Sequence, residues 1–204
     1  MHTGAQCVYC GRELPEGELV CGQCAREEEE LINTEGFAGG ILYAYRYGGV
    51  IRRLIHRFKY NDSPRCSRFI AQRMAEFLGG YEVNADAVTF VPIHEKRRKT
   101  RGYDQSELIA LHLGTLQGVP CEKLLVRSRE TKPQYKLSAG ERWRNVHGAF
   151  SLAEGARPEG KNILLVDDVL TTGVTAGECM KVLADAGANV MVFAYAKEFL
   201  PANK

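Results

Sequence analysis

Two stretches of this chain repeat one design, an apolar run followed by a loop and then a helical pattern, and that alternation restricts the fold more than any other feature. In the first, AVTFVPI (residues 87 to 93) reads as a buried strand, HEKRRKTRGY as a basic loop, and Asp104-Gln-Ser-Glu107 as a capping box opening a helix that runs to Leu116. In the second, NILLV (162 to 166) is the strand and residues 175 to 186 the helix, stopped by Gly187 before another strand, VMVFAY (190 to 195). Strands alternating with helices imply a parallel sheet with right-handed crossovers. In open sheets of that kind ligands sit beyond the carboxyl ends of the strands, where Asp167-Asp168 and the Pro92 loop fall.

Residues 41 to 47, ILYAYRY, look like a further strand. Gly48 and Gly49 then turn the chain into VIRRLIHRFKY, where Val50, Ile51, Leu54, Ile55 and Phe58 fall at helical spacing and leave Arg52, Arg53, Arg57 and Lys59 mostly off the apolar stripe. Ser67 is expected to cap the next helix, which carries Phe69, Ile70, Met74, Phe77 and Leu78 and ends at Gly79 and Gly80. His56 reads as a surface residue rather than a ligand.

Ahead of these elements stand Cys7-Val-Tyr-Cys10 and Cys21-Gly-Gln-Cys24, four of the seven cysteines. Each short turn aims two thiolates at one point, and Gly11 and Gly22 let backbone amides approach the sulfurs. Four thiolates close a tetrahedral shell with no position left for water, so structural zinc is expected at Cys7, Cys10, Cys21 and Cys24, with free thiols as the alternative. Glu27 to Glu30 are expected to begin a short helix. Gly36, Gly39 and Gly40 would mark the boundary between a zinc ribbon at 1–36 and a main domain at 37–204.

A net charge of +2 conceals a segregation, because residues 1 to 36 carry two Arg against eight Glu whereas residues 37 to 150 carry 20 Lys or Arg, well in excess of their acids. A basic middle segment suggests an acidic partner, polyphosphate or nucleic acid, or else solvated helix faces. The stretch from Arg46 to Arg73 holds eight basic residues against Asp62 alone, which suits a nucleic-acid backbone. No run of about 18 apolar residues occurs, and MHTGAQCVYC lacks the apolar centre of a signal peptide, so a cytoplasmic protein is expected.

Between strand and helix, Thr171-Thr172-Gly173-Val174-Thr175 can curl its backbone amides into a concavity at the positive end of the helix dipole, a phosphate site. Asp167 and Asp168 would repel a phosphate and need a different target. Carboxylates suit sugar hydroxyls or hydrated magnesium, so the combined ligand is a sugar phosphate, with ribose hydroxyls on the acids and its 5′-phosphate on 171 to 175. Neither a P-loop nor a dinucleotide G-x-G-x-x-G occurs.

VDDVLTTGVT resembles the phosphoribosyl-pyrophosphate signature of the type I phosphoribosyltransferases, and nearly the whole chain resembles the ComF-type competence proteins, which join a cysteine ribbon to that domain. The resemblance rests on Cys7 to Cys24, the segment ending Phe58-Lys59-Tyr60, VPIHEKRRKTRGYDQ, Arg129-x-Thr131-x-x-Gln134, Arg142-x-x-Asn145 with Phe150, and the signature itself. It implies a type I phosphoribosyltransferase-like parallel sheet flanked by helices behind a small N-terminal zinc ribbon. It also implies that backbone near Pro92, Ile93 and His94, with Arg97 and Arg101, meets pyrophosphate, and that residues 128 to 137 form a closing loop using Arg129 and Gln134. Asp167, Asp168 and Arg129 would then be the catalytic residues. Ser138-Ala-Gly-Glu141 would cap a helix bearing Arg142 and Asn145, whose alternative reading is helix-surface charge.

The chain departs from the family's usual R-G-F-N-Q at Arg101-Gly102-Tyr103-Asp104-Gln105, where Asp104 is either a helix cap or a charge that weakens pyrophosphate binding. Three functions follow as expectations. One is an enzyme that moves ribosyl-5-phosphate from magnesium-bound phosphoribosyl pyrophosphate to an acceptor. Another is a non-catalytic competence factor that binds the same ligand and single-stranded DNA. The third is an adaptor that docks on competence-machinery proteins through the ribbon.

Overall fold

The computed structural model describes residues 5–36, 41–60, 65–129 and 144–199. An antiparallel pair, β1 (Ala5–Gln6) with β2 (Glu13–Leu14), comes first, followed by α1 (Gly22–Glu29). Then come β3 (Ile41–Arg46), α2 (Gly49–Tyr60), α3 (Cys66–Leu78), β4 (Ala87–Phe90), α4 (Glu95–Arg101), α5 (Gln105–Gln117), β5 (Leu125–Arg127), β6 (Phe150–Leu152), β7 (Asn162–Leu170), α6 (Val174–Asp185) and β8 (Asn189–Lys197). The expected parallel sheet is present, in the order β3-β8-β7-β4, with every pairing parallel.

Alternation along the central strand divides the core into two layers. Leu164 and Val166 face α2, α3 and α5, while Ile163 and Leu165 face α6 and the β5–β6 pair, and all four are buried. A strand covered on both faces must be apolar without interruption, which is what makes NILLV legible as a strand. The cysteine segment belongs to the first layer, where the buried Tyr9 ring meets Phe69 of α3 edge-on at 5.5 Å. Among the described residues no helix is long and apolar enough to cross a membrane.

Several local expectations change. The basic stretch after Pro92 is a helix, α4, because His94 Nδ1 accepts the Lys96 N–H at its start and Gly102, at φ 79°, closes it in the left-handed conformation. β4 therefore stops at Phe90 rather than 93. Strand β7 does not end before the acid pair but continues to Leu170, since Asp167, Val169 and Leu170 keep pairing with Ala194, Ala196 and Lys197. Ser67 lies inside α3, buried, instead of capping it, and α1 begins at Gly22 within the second cysteine pair rather than at Glu27. Gly39, Gly40, Asp62, Thr131, Gln134, Ser138 to Glu141 and Arg142 lie outside the described residues.

Candidate functional site

The carboxyl ends of the four strands border one cavity of about 840 Å³. Its floor is the acid pair. Asp168 is nearly buried and its Oδ2 lies 2.7 Å from Lys59 Nζ of α2, while Asp167 Oδ1 accepts from Ser106 Oγ at 3.1 Å and from the Asp168 N–H at 2.9 Å. Burial, and then the neighbouring Asp168 charge, push Asp167 up to about 7 against the pull of Lys59. Burial works against the Lys59 ammonium, yet Asp168 beside it turns the net shift upward. If Asp167 must be ionised to accept sugar hydroxyls, affinity for a phosphoribosyl ligand rises about tenfold from pH 6 to pH 8. The Asp167→Asn variant should lose most of that rise by calorimetry, leaving the part that comes from Asp104, raised by burial to about 6.

Beyond β7 the chain turns through Thr171 and Thr172 to Gly173, whose φ of 74° suits glycine, and α6 starts at Val174. Thr171 and Thr175 line the cavity, whereas Thr172, Gly173 and Val174 form the turn behind them. Thr172 Oγ1 is buried with no hydrogen-bond partner among the described residues. An orphaned hydroxyl at the positive end of a helix fits an anionic oxygen acceptor.

The opposite wall, after β4, is cationic. Pro92, Ile93, Arg97 and Arg101 line it, with Arg101 held by Gln105 at 2.9 Å and lying over the Tyr60 ring at 5.6 Å. His94 caps α4 instead of lining the cavity. The Ile93 N–H is donated to Asp104 Oδ2 at 2.8 Å, so that amide is already engaged. Asp104 also caps α5, its Oδ1 accepting from Ser106 at 3.1 Å and Glu107 at 3.4 Å. The residue at which the chain departs from R-G-F-N-Q thus binds the Pro92 loop to the helix that presents Ser106 to Asp167. An asparagine has one acceptor oxygen and could not serve both sides alike. Burial raises the Asp104 carboxyl to about 6, with the Ile93 and Glu107 amides pulling the other way.

Three residues central to this geometry have no role assigned by the sequence. Lys59 neutralises Asp168, Ser106 orients Asp167, and Arg127 of β5 lines the cavity with its guanidinium over Phe150 at 5.1 Å. Burial, reinforced by the Arg97 charge, lowers Arg127 to about 10. Arg129 lies elsewhere: it is exposed, outside the cavity lining, and donates to the carbonyl oxygens of His147 at 2.7 Å and Asn145 at 3.4 Å. The basic stretch from Arg46 to Arg73 is also largely engaged within the fold, since Arg46, Arg53, Arg57, Lys59 and Arg73 all have protein partners. Arg52, Arg65 and Arg68 are exposed.

At the cysteine cluster the Sγ atoms of Cys7, Cys10, Cys21 and Cys24 all lie within 4.8 Å of one another, and Cys10 and Cys21 are 3.9 Å apart. Tetrahedral zinc, with bonds of about 2.3 Å, separates its sulfurs by about 3.8 Å, so the set fits that ion. Burial pushes the Cys7 thiol up, but amides of Cys21, Cys10 and Tyr9 outweigh it and hold Cys7 at about 6. Donors around the sulfur are what a thiolate ligand needs.

No family model matches the chain. Over 190 residues it is 29% identical to competence protein F of Haemophilus influenzae, covering 89% of this chain and 79% of that one. It is 27% identical to the DNA utilization protein YhgH of Escherichia coli K12 over the same shares. It is 26% identical to competence protein ComFC of Bacillus subtilis, over 95% of this chain and 77% of that one. Among solved structures, the glutamine phosphoribosylpyrophosphate amidotransferase from B. subtilis has 27% identity and a TM-score of 0.45 over 65% of this chain, which spans about a quarter (26%) of that protein. An adenine phosphoribosyltransferase has 16% identity and a TM-score of 0.43, over 72% of this chain and 75% of that one. Along about nine-tenths of the sequence the chain is similar to competence protein F, YhgH and ComFC, which supports a ComF-type family.

Proposed function

We propose that the cavity binds phosphoribosyl pyrophosphate with magnesium and transfers ribosyl-5-phosphate to a nitrogen acceptor, in a cytoplasmic protein whose residues 1–36 form a zinc module and 37–204 the transferase-like domain. One observation carries this reading. An acid pair and a hydroxyl-bearing turn end one strand, and they face Arg97, Arg101 and Arg127 across a single cavity. The 5′-phosphate would take the amides and hydroxyls of 171 to 175, and the ribose hydroxyls would donate to Asp167 and Asp168. As the bond from C1′ to the pyrophosphate oxygen breaks, charge grows on that oxygen, where the arginines stabilise it more than they stabilise the ground state. The carboxylates offer hard oxygen ligands of the kind magnesium takes, and the ion, shared with the ligand, would supply charge neutralisation.

The test is pyrophosphate release on incubation with magnesium, phosphoribosyl pyrophosphate and pooled acceptors: purine and pyrimidine bases, nicotinic acid, ammonia or glutamine, and single-stranded DNA. Acceptor-dependent release is expected. Arg127→Ala should slow it by about 100-fold with a smaller loss of ligand affinity, the pattern of a contact made in the transition state. Because Arg129 is bonded outside the cavity, Arg129→Ala should slow it less. Tight ligand binding without release in any pool would favour the second reading, a competence factor that binds the ligand and single-stranded DNA without turnover. The names of the relatives and the exposed Arg52, Arg65 and Arg68 support that alternative.

A further inference from the structure

Helix α2 touches both centres of the molecule. Near its carboxyl end Arg57 donates from Nη1 to the carbonyl oxygens of Cys7 at 3.2 Å and Val8 at 2.8 Å, inside the first cysteine turn. Two residues on, Lys59 reaches Asp168 at 2.7 Å. One turn earlier, Arg53 pairs at 2.8 Å with Glu27 of α1, the helix that starts within the second cysteine pair. Residues two apart on a helix point about 200° from each other, so Arg57 and Lys59 leave nearly opposite sides of α2. The helix between them is set in the core by Val50, Ile51, Leu54, Ile55 and Phe58, all fully or almost fully buried, and Tyr103 donates to the Phe58 carbonyl. A closely packed element of this kind moves as a body, so a shift at one contact is felt at the other.

We propose that Arg57 is a positioning residue, through which the metal-bound cysteine turn holds α2 in the place that keeps Lys59 on Asp168 and the sugar-phosphate site in shape. The carbonyls that Arg57 grips belong to a metal ligand and its neighbour. Two of the four metal–sulfur bonds, at Cys7 and Cys10, would fix the path of that turn. With the metal withdrawn, the Cys7 end of the turn is held by hydrogen bonds alone, the Gly11 N–H on the Cys7 carbonyl and the Cys7 N–H on the Arg12 carbonyl at 2.8 Å, the Val8 N–H on the Leu19 carbonyl at 2.9 Å and the Cys21 N–H on Cys7 Sγ at 3.5 Å, each weaker than a metal–sulfur bond. If the turn relaxes, Arg57 loses its acceptors, α2 loses an anchor, and Asp167 and Asp168 face each other without their cation. The cysteine cluster then governs the site chemically remote from it, with no ligand of its own there.

The ligand arm of the test rests on the phosphoribosyl reading, and the exchange arm does not. Zinc-loaded wild type and Arg57→Ala, each confirmed to hold one zinc per chain, are titrated calorimetrically with magnesium and phosphoribosyl pyrophosphate, before and after zinc is withdrawn by a strong chelator. Arg57→Ala should bind about tenfold more weakly despite its zinc, stripped wild type should show a similar loss, and stripping the variant should add little. Arg57→Lys, which keeps a charged donor but is shorter and lacks the planar guanidinium fork, should recover part of the affinity, and it replaces Arg57→Ala in every comparison should that variant not fold. Without ligand, amide hydrogen exchange over residues 53–60 and 166–170 should quicken in the variant and in stripped wild type. Unchanged affinity in a zinc-loaded Arg57 variant, fully additive losses, or unchanged exchange in both segments would each overturn the coupling. If zinc-loaded wild type binds no phosphoribosyl pyrophosphate, the proposed function fails instead, and the exchange result alone decides the coupling.

Discussion

Asp168→Ala is expected to abolish acceptor-dependent pyrophosphate release and, separately, to cost the fold about 3 kcal/mol. The two effects have different origins. Activity would be lost because the carboxylate proposed to take the ribose hydroxyls is gone. Stability is lost because Lys59, whose side chain is only 23% exposed, keeps its charge while its partner, 10% exposed, disappears. Breaking a buried pair from one side costs more than the pair contributes, since the remaining ion stays desolvated. Asp167 is near enough to attract Lys59 as well, which holds the estimate at the lower end of the usual range. A double variant, Asp168→Ala with Lys59→Met, should recover much of the stability in a denaturant melt and none of the pyrophosphate release. Wild-type melting in the single variant would show that Lys59 finds solvent easily, and full activity would remove Asp168 from the site.

Loss of the metal centre should be the larger structural change. Cys24→Ser is expected to bring bound zinc from one per chain to below half, measured by metal analysis on protein purified with zinc present, and to lower the melting temperature by about 10 °C or more. The size follows from where the cluster sits. Cys7, Cys21 and Cys24 are 0%, 6% and 3% exposed, and they share a core with Tyr9, Phe58 and Ile70. Glu28 of α1 is buried too, where it meets Arg73 of α3 at 2.9 Å and accepts from the Tyr45 hydroxyl of β3 at 3.0 Å. A ribbon that touched the domain only at its surface would melt by itself and leave the main transition in place. A single, lowered transition is expected here, because the apolar surface on the two sides is one surface. Full zinc occupancy in Cys24→Ser would mean that Cys24 is not a ligand.

Some of this was written in the chain itself. The apolar runs at 87 to 93 and 162 to 166 were legible as buried strands because a sheet covered on both faces needs so apolar a pattern, although the first strand ends at Phe90 and the second runs on to Leu170. Asp104 was legible as a cap from its spacing to Glu107, and the two C-x-x-C pairs were legible as one cluster of four sulfurs because each spacing brings two sulfurs to one point. These are short-range facts, fixed by the periods of helix and strand and by the bond angles of a turn. What only the tertiary structure decided is which distant side chains meet. Ser106 and Asp167 are 61 positions apart, and Arg57 is 50 from Cys7, separations over which no local period carries information. The arginines of α2 read as a solvated face or a nucleic-acid surface because a hydropathy pattern shows which side of a helix is polar and says nothing of what packs against that side. Arg127 and Arg129 are two residues apart in a basic segment, yet the first lines the cavity and the second turns to the backbone of His147 and Asn145. Period fixes the face of each element; the order of the strands and the close packing of the helices upon them choose the partner.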